Sequence, residues 1–170
     1  MRNLQTLQMN VEKIYRKRVE NENIDDKRLV LTKLILLETE VSEFINEVEA
    51  HKLYKLNKKD DRDRMKEELC DCMHVVCSIA NTLGVSLKSE FDSIEASEDF
   101  ITDYWNLKRY ITNVELDEFM ENKTYVDIYL SKVLKELYKL AKNVKFTYEE
   151  IVTAYVAVYT KNMIRATRGY

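Results

Sequence analysis

Two groups of carboxylates recur at helical spacing inside apolar segments of the chain. Glu40, Glu43 and Glu47 occupy relative positions 0, 3 and 7 in the segment LLETEVSEFINE. Since an α-helix turns about 100° per residue, these three side chains share one narrow face. Glu68 and Asp71 repeat the three-residue spacing 25 residues after Glu43. The spacing therefore predicts two helices, each with one acidic line on an otherwise apolar surface.

Carboxylates placed this close together repel one another. Like charges at i and i+4, such as Glu43 and Glu47, destabilise a helix by about 0.2–0.5 kcal/mol. Burial adds several kcal/mol per ion unless cations compensate. Mg²⁺ takes oxygen ligands and commonly bridges protein carboxylates to substrate phosphates. The two lines therefore predict a magnesium site between facing helices, with a solvated acidic face as the alternative. Glu38, about 160° around the helix from Glu40, is predicted to point away.

The elements that position these acids must be helices. The 170 residues include no proline and only two glycines, so few positions can break a helix. Apolar residues recur mainly at three- and four-residue spacing, which is typical of amphipathic helices. The composition therefore predicts an all-α fold in one domain over residues 1–170, with about 86–140 as a candidate smaller, mobile helical lobe.

Charge and hydropathy exclude several classes of partner. The formal net charge is -3, and acidic and basic residues are mixed along the whole chain, so we do not expect nucleic acid as a partner. No apolar run approaches the roughly 20 residues that span a bilayer, and MRNLQTLQMN lacks the apolar core of a signal peptide. We expect a cytoplasmic protein with no membrane partner.

Capping signals place the helix boundaries. The predicted helices cover 3–20, then 27–56 after an N-cap at Asp25 or Asp26, then a third from Asp60 or Asp61 to just before Gly84. The segment 86–113 is predicted as helical, and 116–142 as one helix or a pair that restarts at Thr124. Thr147 and Glu150 form a capping box that begins the final helix, and Phe146 and Ile151 stand at hydrophobic-staple positions.

Two further groups of residues have structural interpretations. Cys70, His74 and Cys77 lie at i, i+4 and i+7, so zinc is an alternative, but the fourth ligand that structural zinc sites need is missing. We interpret the three cysteines as reduced core residues. Five tyrosines at helical spacing favour packing, including at a subunit interface, over nucleic-acid stacking: Tyr125, Tyr129, Tyr138, Tyr155 and Tyr159.

Several segments together resemble one family, the dimeric dUTPases of kinetoplastids, some bacteria and bacteriophages. The pairs Glu40-x-x-Glu43 and Glu68-x-x-Asp71 resemble the metal signature of the wider all-α nucleoside triphosphate pyrophosphohydrolase (MazG-like) superfamily. HKLYK, EELCDCMHVVCSIANTLGV and FTYEEIVTAYVAVYTKNMIRATRGY are similar to further elements of the dUTPase branch. The N-terminal LQTLQMN is a fainter match, and about 86–140 matches only in helical character.

The resemblance implies a fold, an activity and a cofactor. It implies an antiparallel helical bundle that hydrolyses dUTP, and often dUDP, to dUMP with Mg²⁺. Glu40, Glu43, Glu68 and Asp71 would hold the metal, with Glu47 in support. Glu40 or Glu43 would act as the general base for the attacking water. Residue chemistry agrees, because phosphoryl transfer depends mainly on neutralising charge and placing the nucleophile in line.

The same resemblance implies a set of substrate-binding residues. Gln8, Tyr54, His74 and Asn81 would lie near uracil or deoxyribose, and Lys52, Lys161 and Arg168 near the phosphates. Arg165 belongs to the same C-terminal motif. Three positions depart from the family pattern, Tyr54 where tryptophan is usual, Val75 where phenylalanine is common and Arg165 where asparagine is expected. These departures concern base stacking and selectivity more than the metal set.

Three hypotheses follow. The first is a Mg²⁺-dependent dUTPase that forms a homodimer. The second is a related MazG-like or dCTPase-like pyrophosphohydrolase with another base preference. The third is a catalytically idle helical protein that binds a regulatory protein partner. The presence of all five acids favours an enzyme.

Overall fold

The computed structural model describes residues 2–19, 24–88, 91–95, 97, 99–119 and 125–168. Within these residues the secondary structure is helical, with no strand, which confirms the all-α prediction. The helices are α1 (Arg2–Val19), α2 (Asp26–Val48), α3 (Arg62–Leu83), α4 (Phe100–Phe119), α5 (Val126–Asn143) and α6 (Tyr148–Arg168), with a 3₁₀ turn at Phe91–Ser93 before α4.

Side-chain caps begin α2 and α3 where the sequence predicts. Asp25 accepts a hydrogen bond from the backbone N–H of Arg28 at 2.7 Å, and Asp61 accepts one from the N–H of Arg64 at 3.0 Å. These bonds satisfy backbone donors that have no partner inside the helix. α3 ends at Gly84, whose φ of 68° is the left-handed conformation that glycine adopts without steric cost.

The capping box of α6 is also confirmed. The Thr147 N–H donates to Glu150 Oε2 at 2.8 Å, and the Glu150 N–H donates to Thr147 Oγ1 at 3.2 Å. Phe146 and Ile151, the two staple positions, are both buried. The start of the helix that carries Lys161 and Arg165 is therefore fixed locally, by residues adjacent in sequence.

The prediction that the second helix reaches Leu56 is wrong. α2 ends at Val48 because Glu49 adopts a left-handed φ of 53°. Its buried carboxylate accepts from Lys55 Nζ at 2.7 Å and from the Lys59 N–H at 2.9 Å. The carboxylate thus folds the following segment back over the helix end.

The prediction of a helix throughout 86–113 is wrong for its first part. α4 begins at Phe100, where Asp99 accepts a hydrogen bond from the Ile101 N–H at 3.0 Å. For 116–142 the sequence predicts one helix or a pair. Its later part is confirmed as α5, which begins at Val126, but residues 116–119 continue α4, so the predicted boundary between 113 and 116 is wrong. The predicted restart at Thr124 lies outside the described residues.

α3 lies at the centre of the molecule. It packs against α1, α2, α5 and α6, whereas α4 packs mainly on α5. Contacts of Lys33 with Thr82 and proximity of Glu40 to Glu68 show that α2 and α3 run antiparallel. The core cluster draws residues from all six helices. Burial of each large apolar side chain contributes about 1.5–3 kcal/mol.

Two further sequence predictions concern organisation and location. Among the described helices, none has the length and apolar character needed to cross a membrane. The single domain with a smaller lobe over about 86–140 stays a prediction, as does the cytoplasmic location.

Candidate active site

A cleft of about 480 Å³ opens between α1, α2, α3 and α6. One end is acidic, and the other end is lined by amide, imidazole, hydroxyl and apolar groups. Eight of the residues predicted as site residues line this cleft: Gln8, Glu40, Glu43, Glu68, Asp71, His74, Lys161 and Arg165. The fold therefore brings together side chains from both ends of the chain.

The acidic end contains a compact group of carboxylates. Glu40 on α2 and Glu68 and Asp71 on α3 each offer one oxygen, and these oxygens lie within 4.8 Å of one another. The antiparallel pairing of α2 and α3 produces this approach, because the two acidic lines then face each other. Glu43 lines the same cleft one turn after Glu40, at a more exposed position.

Burial and mutual repulsion disfavour ionisation of this group. The pKa of Glu40 is raised to about 7, first by burial and then by the nearby charges of Asp71, Glu43 and Glu68, against the opposing charge of Arg165. The pKa of Glu68 is also raised to about 7, mainly by burial and in addition by Glu43 and Asp71, while Arg64 opposes the increase. The pKa of Asp71 is raised by burial, against the influence of Lys161. The neighbouring cations therefore compensate the buried carboxylates only in part.

One carboxylate oxygen of the group accepts no hydrogen bond from the described residues. Glu68 is 2% exposed, and its Oε1 has no hydrogen-bond partner among the described residues. The Arg64 guanidinium Nη2 lies 2.5 Å from this oxygen as an ion pair, but not in hydrogen-bonding geometry. Buried polar atoms are nearly always satisfied. A hard cation, which takes carboxylate oxygens as ligands, fits this set of donors.

Cationic and amide groups of α6 line the cleft beside the acids. Lys161 Nζ forms an ion pair with Glu67, on the face of α3 next to the cluster. Asn162 forms a hydrogen bond with Asp71 that favours its ionised form. Arg165 lowers the pKa of both Glu40 and Asp71, so its charge lies close to the group. These side chains can donate to an anionic ligand such as a phosphate.

The opposite end of the cleft contains a buried histidine. His74 is 3% exposed and stacks on the Tyr155 ring at 3.7 Å between centroids. Its Nδ1 lies 2.8 Å from Gln8 Oε1, and its Nε2 lies 3.2 Å from the Tyr155 carbonyl oxygen. Burial lowers the pKa of His74 to about 4, although the bond to the Tyr155 carbonyl opposes this. The ring is therefore neutral at pH 7.

A buried ion pair forms the inner wall near this end. Lys33 Nζ donates to Glu12 Oε2 at 2.8 Å and to Thr82 Oγ1 at 2.7 Å. Ser78 Oγ donates to the other oxygen of Glu12. Burial lowers the pKa of Lys33, and the Glu12 carboxylate opposes the decrease. This network joins α1, α2 and α3 and holds one wall of the cleft in place.

Five predicted residues do not line the cleft. Glu47 pairs with Lys59 at 3.0 Å, and Lys52 pairs with Glu49 at 2.9 Å. Tyr54 is 97% exposed, in the segment between α2 and α3. The Asn81 amide binds Gln5, and Arg168 is exposed near the end of α6. The structure thus places these side chains away from the acidic group and from His74.

The zinc alternative is not supported by the described residues. Cys70, Cys72 and Cys77 are buried free thiols, which confirms their interpretation as reduced core residues. Both ring nitrogens of His74 already have hydrogen-bond partners. Among the described residues, the side chains grouped closely enough to hold a metal ion are the carboxylates of Glu40, Glu68 and Asp71. Of the tyrosines, Tyr138 and Tyr155 belong to the core.

Sequence reasoning missed several residues of the cleft. Arg64, Glu12 and Asn162 all line it. The spacing could have revealed Arg64, because it stands four residues before Glu68 on the same helix. Glu12 and Asn162 lie on α1 and α6, and their approach to α3 depends on tertiary packing that periodicity alone does not encode.

A comparison with protein families gives a match over the whole chain. A family model described as dUTPase matches residues 1–170. The chain belongs to the dUTPase family. No curated protein matches the chain.

Membership of the dUTPase family gives the protein an activity and a substrate. The chain is a dUTP diphosphatase, a hydrolase whose substrate is a nucleotide. A nucleoside triphosphate needs one part of a site that neutralises its phosphate charge and a separate part that holds the nucleoside. The dUTPase cleft has both, with carboxylates and α6 cations at one end and Gln8, His74 and Val75 at the other. The family and the carboxylate group together indicate a divalent metal.

Proposed function

We propose that this dUTPase is Mg²⁺-dependent and converts dUTP, and also dUDP, to dUMP. One observation carries the proposal: three carboxylate oxygens from Glu40, Glu68 and Asp71 lie within 4.8 Å of one another at the end of a cleft that also presents cations. Mg²⁺ prefers such oxygen ligands and shares them with substrate phosphates. When bound, the ion would neutralise phosphate charge and lower the pKa of a water molecule.

The proposed ligands are Glu40, Glu43, Glu68 and Asp71. The Oε1 of Glu68 supports this assignment, because it has no hydrogen bond among the described residues and only the ion pair with Arg64, so a metal ion could bind it directly. Glu43 raises the pKa of Glu68 and so lies close enough to take part. Glu47 would support the set only indirectly, since its carboxylate is paired with Lys59.

Glu40 or Glu43 is the proposed general base. A base works best when its pKa lies near the working pH. The pKa of Glu40 is about 7, owing first to burial and then to Asp71 and Glu43. This value describes the metal-free protein, and a bound cation would lower it. With the ion in place, whichever of Glu40 and Glu43 keeps an unligated oxygen would accept the proton from the attacking water.

We propose that Lys161 and Arg165 bind the phosphates and that Gln8 and His74 form the nucleoside end. Both cations line the cleft beside the carboxylates. Charge-assisted hydrogen bonds to phosphate are about twice as strong as neutral ones. Four of the predicted substrate-binding residues lie outside the lining of the cleft: Tyr54, Lys52, Asn81 and Arg168. A role for them in binding would require them to move toward the bound ligand.

A nucleotide panel tests this proposal. Release of pyrophosphate or phosphate is measured with dUTP, dUDP, dCTP, dTTP and the ribonucleotides, with Mg²⁺ and with EDTA. We expect turnover of dUTP that EDTA abolishes and added Mg²⁺ restores. Preferred turnover of dCTP would favour the MazG-like or dCTPase-like alternative. Turnover of dUTP undiminished by exhaustive chelation would contradict the metal assignment.

We further propose that the chain forms a homodimer. Exposed apolar side chains support this, including Ile35, which is 70% exposed, and Trp105, which is 64% exposed. Trp105 is the single tryptophan of the chain, so its emission reports on its surroundings. We expect a dimer mass by light scattering and a blue shift of emission as concentration increases, if Trp105 lies in the interface. The regulatory protein partner stays a prediction.

A further inference from the structure

Both ring nitrogens of His74 face hydrogen-bond acceptors, although a neutral imidazole has only one N–H to donate. Nδ1 faces Gln8 Oε1 at 2.8 Å, and Nε2 faces the Tyr155 carbonyl oxygen at 3.2 Å. Both partners accept hydrogen bonds, but a neutral imidazole carries one N–H and one acceptor nitrogen. Either the ring is doubly protonated, or one partner must turn a donor toward it.

The surroundings of His74 exclude the doubly protonated ring at neutral pH. The side chain is 3% exposed, and neither of its ring nitrogens contacts a carboxylate. Burial without a counter-charge lowers the pKa of the imidazole to about 4. The ring therefore has one proton to place.

The two partners differ in what they can offer. The Tyr155 carbonyl can only accept, so Nε2 must hold the proton. Tyr155 is itself fixed, because its hydroxyl donates to the Leu4 carbonyl at 3.1 Å and its ring stacks on the imidazole. Nδ1 is then an acceptor. The Gln8 amide can satisfy it by a half-turn that presents its NH₂ group, since the two ends of an amide occupy nearly the same space.

We propose that His74 is a positioning residue for base selection: as the Nε2–H tautomer held by the Tyr155 carbonyl, it holds the Gln8 amide with its nitrogen inward and its oxygen toward the cleft. Gln8 lines the cleft, and among the described residues its second amide atom has no other partner. The cleft thus presents a fixed acceptor. A ligand that offers an N–H there is bound, and a ligand that offers a lone pair is repelled.

The Gln8 oxygen would select bases that donate a hydrogen bond at this position, an inference that rests on the proposed function. The edge of uracil carries an N3–H donor, whereas N3 of cytosine is an acceptor. An acceptor that cannot rotate leaves two lone pairs facing each other when cytosine enters. A site built for one hydrogen-bond pattern rejects the wrong pattern strongly, because its buried group is left without a partner. His74 would therefore favour uracil over cytosine without touching the base.

The tautomer can be measured without any substrate. The chain has two histidines, and the other, His51, is exposed. A ¹⁵N-labelled sample gives two imidazole patterns, and a His51→Ala variant assigns them. We expect His74 as the Nε2–H tautomer at pH 7. The Nδ1–H tautomer, or a charged ring, would overturn the proposal whatever the activity of the protein.

Selectivity gives the second readout. In Gln8→Ala and His74→Phe we expect the ratio of kcat/KM for dUTP over dCTP to fall by about tenfold or more. His74→Asn places an amide oxygen close to the position of Nδ1 and should retain more of the ratio than His74→Phe. Equal losses in the two His74 variants would indicate a merely structural role and overturn the proposal.

Gln5 provides the matched control on the same helix. Its amide is fully engaged by Asn81, the Val85 carbonyl and the Leu87 N–H, away from the cleft. Gln5→Ala should lower stability and leave the dUTP over dCTP ratio unchanged. A wild-type protein that hydrolyses no nucleotide would refute the proposed function, while the tautomer measurement would still test the position of the Gln8 amide.

Discussion

Arg64 Nη2 lies 2.5 Å from Glu68 Oε1, the buried oxygen that has no hydrogen bond among the described residues. The guanidinium is nearly half exposed, whereas the carboxylate is almost completely buried. Arg64 thus supplies positive charge from the rim of the cleft to an acid inside it. This single cation cannot satisfy Glu40, Glu68 and Asp71 together.

The first prediction concerns Arg64 and a divalent ion. Arg64→Ala should lower the free energy of unfolding of the metal-free protein by about 1–3 kcal/mol, because Glu68 loses its partner. The rise in Tm on adding Mg²⁺ should be larger than in the wild type, since the ion then has no competing cation. Thermal denaturation with EDTA and with Mg²⁺ measures both effects.

Arg62 provides the control for Arg64. It lies on the same helix but binds the Val144 and Lys145 carbonyls and Glu150. Arg62→Ala should lower Tm without changing the rise that Mg²⁺ produces. The same Mg²⁺-induced rise in both arginine variants would show that Arg64 does not compete with the ion.

The second prediction is a pH dependence of stability. The pKa values of Glu40 and Glu68 are raised from 4.5 to about 7 in the folded protein. The folded state therefore binds more protons than the unfolded state between these values, and stability falls as pH rises through this window. We expect Tm of the metal-free protein to fall by roughly 4–8 °C from about pH 6.5 to pH 8, which corresponds to about 2 kcal/mol. Below about pH 6.5 His74, whose pKa is lowered from 6.5 to about 4, contributes the opposite slope.

A Glu40→Gln/Glu68→Gln double variant isolates this contribution from other titrating groups. Its Tm should change less with pH than that of the wild type, and it should exceed the wild-type Tm at pH 8 in EDTA. Parallel pH profiles for the two proteins would show that the carboxylate group does not control the dependence.

The third prediction separates catalysis from folding. Glu43→Gln and Asp71→Asn each remove one negative charge from the cleft without changing side-chain size. We expect kcat with dUTP to fall by about 10²–10⁴-fold, while the metal-free protein stays folded or becomes more stable, since the pKa of Asp71 is raised by burial. Nucleotide hydrolysis and circular dichroism measure the two properties.

Glu38 is the matched control on α2. It lies on the opposite side of the helix and forms an ion pair with Lys108 of α4. Glu38→Gln should keep wild-type kcat and lose a little stability, as surface ion pairs contribute about 0–1 kcal/mol. Full activity in Glu43→Gln and Asp71→Asn would refute the proposed ligand set.

The fourth prediction concerns the end of α2. The pKa of Glu49 is lowered to about 2 by hydrogen bonds from the side chains of Lys55 and Lys52 and from the backbone N–H of Lys59. Since the pKa is depressed, the stabilisation is present above about pH 4.5 and is lost as pH falls toward 2. Glu49→Gln should therefore lower Tm at pH 7 and hasten proteolysis between residues 50 and 60, but have little effect at pH 2.

Asp63 serves as the comparison for Glu49. It also pairs with a lysine, Lys66, but its side chain is 94% exposed. Asp63→Asn should leave both Tm and the proteolysis pattern nearly unchanged. An equal effect of the two substitutions would mean that Glu49 does not organise the segment that follows it.

Local signals in the sequence predicted much of the fold. Asp25, Asp61, Gly84 and the Thr147–Glu150 box act within a few residues of themselves, so their effect can be read without tertiary contacts. The end of α2 could not be read in this way. Its left-handed Glu49 depends on lysines that fold back from the following segment.

The candidate site was predictable where it follows helix periodicity. Glu40, Glu43, Glu68 and Asp71 needed only two faces and an antiparallel pair. The contact between Gln8 and His74 spans 66 residues, and no local pattern encodes it. The exposed position of Tyr54 follows from the early end of α2, which the sequence did not reveal.

The hydroxyl of Tyr155 on α6 donates to the Leu4 carbonyl on α1, a contact that spans 151 residues. During synthesis on the ribosome, α1, α2 and α3 leave the exit tunnel long before α6. A nascent chain therefore carries its buried carboxylates without the cations of α6 and without a completed cleft, and contacts of such long range form late. We therefore expect nucleotide hydrolysis only after translation of the last helix, which carries the proposed phosphate-binding residues Lys161 and Arg165, and we expect truncated products that lack α6 to be inactive.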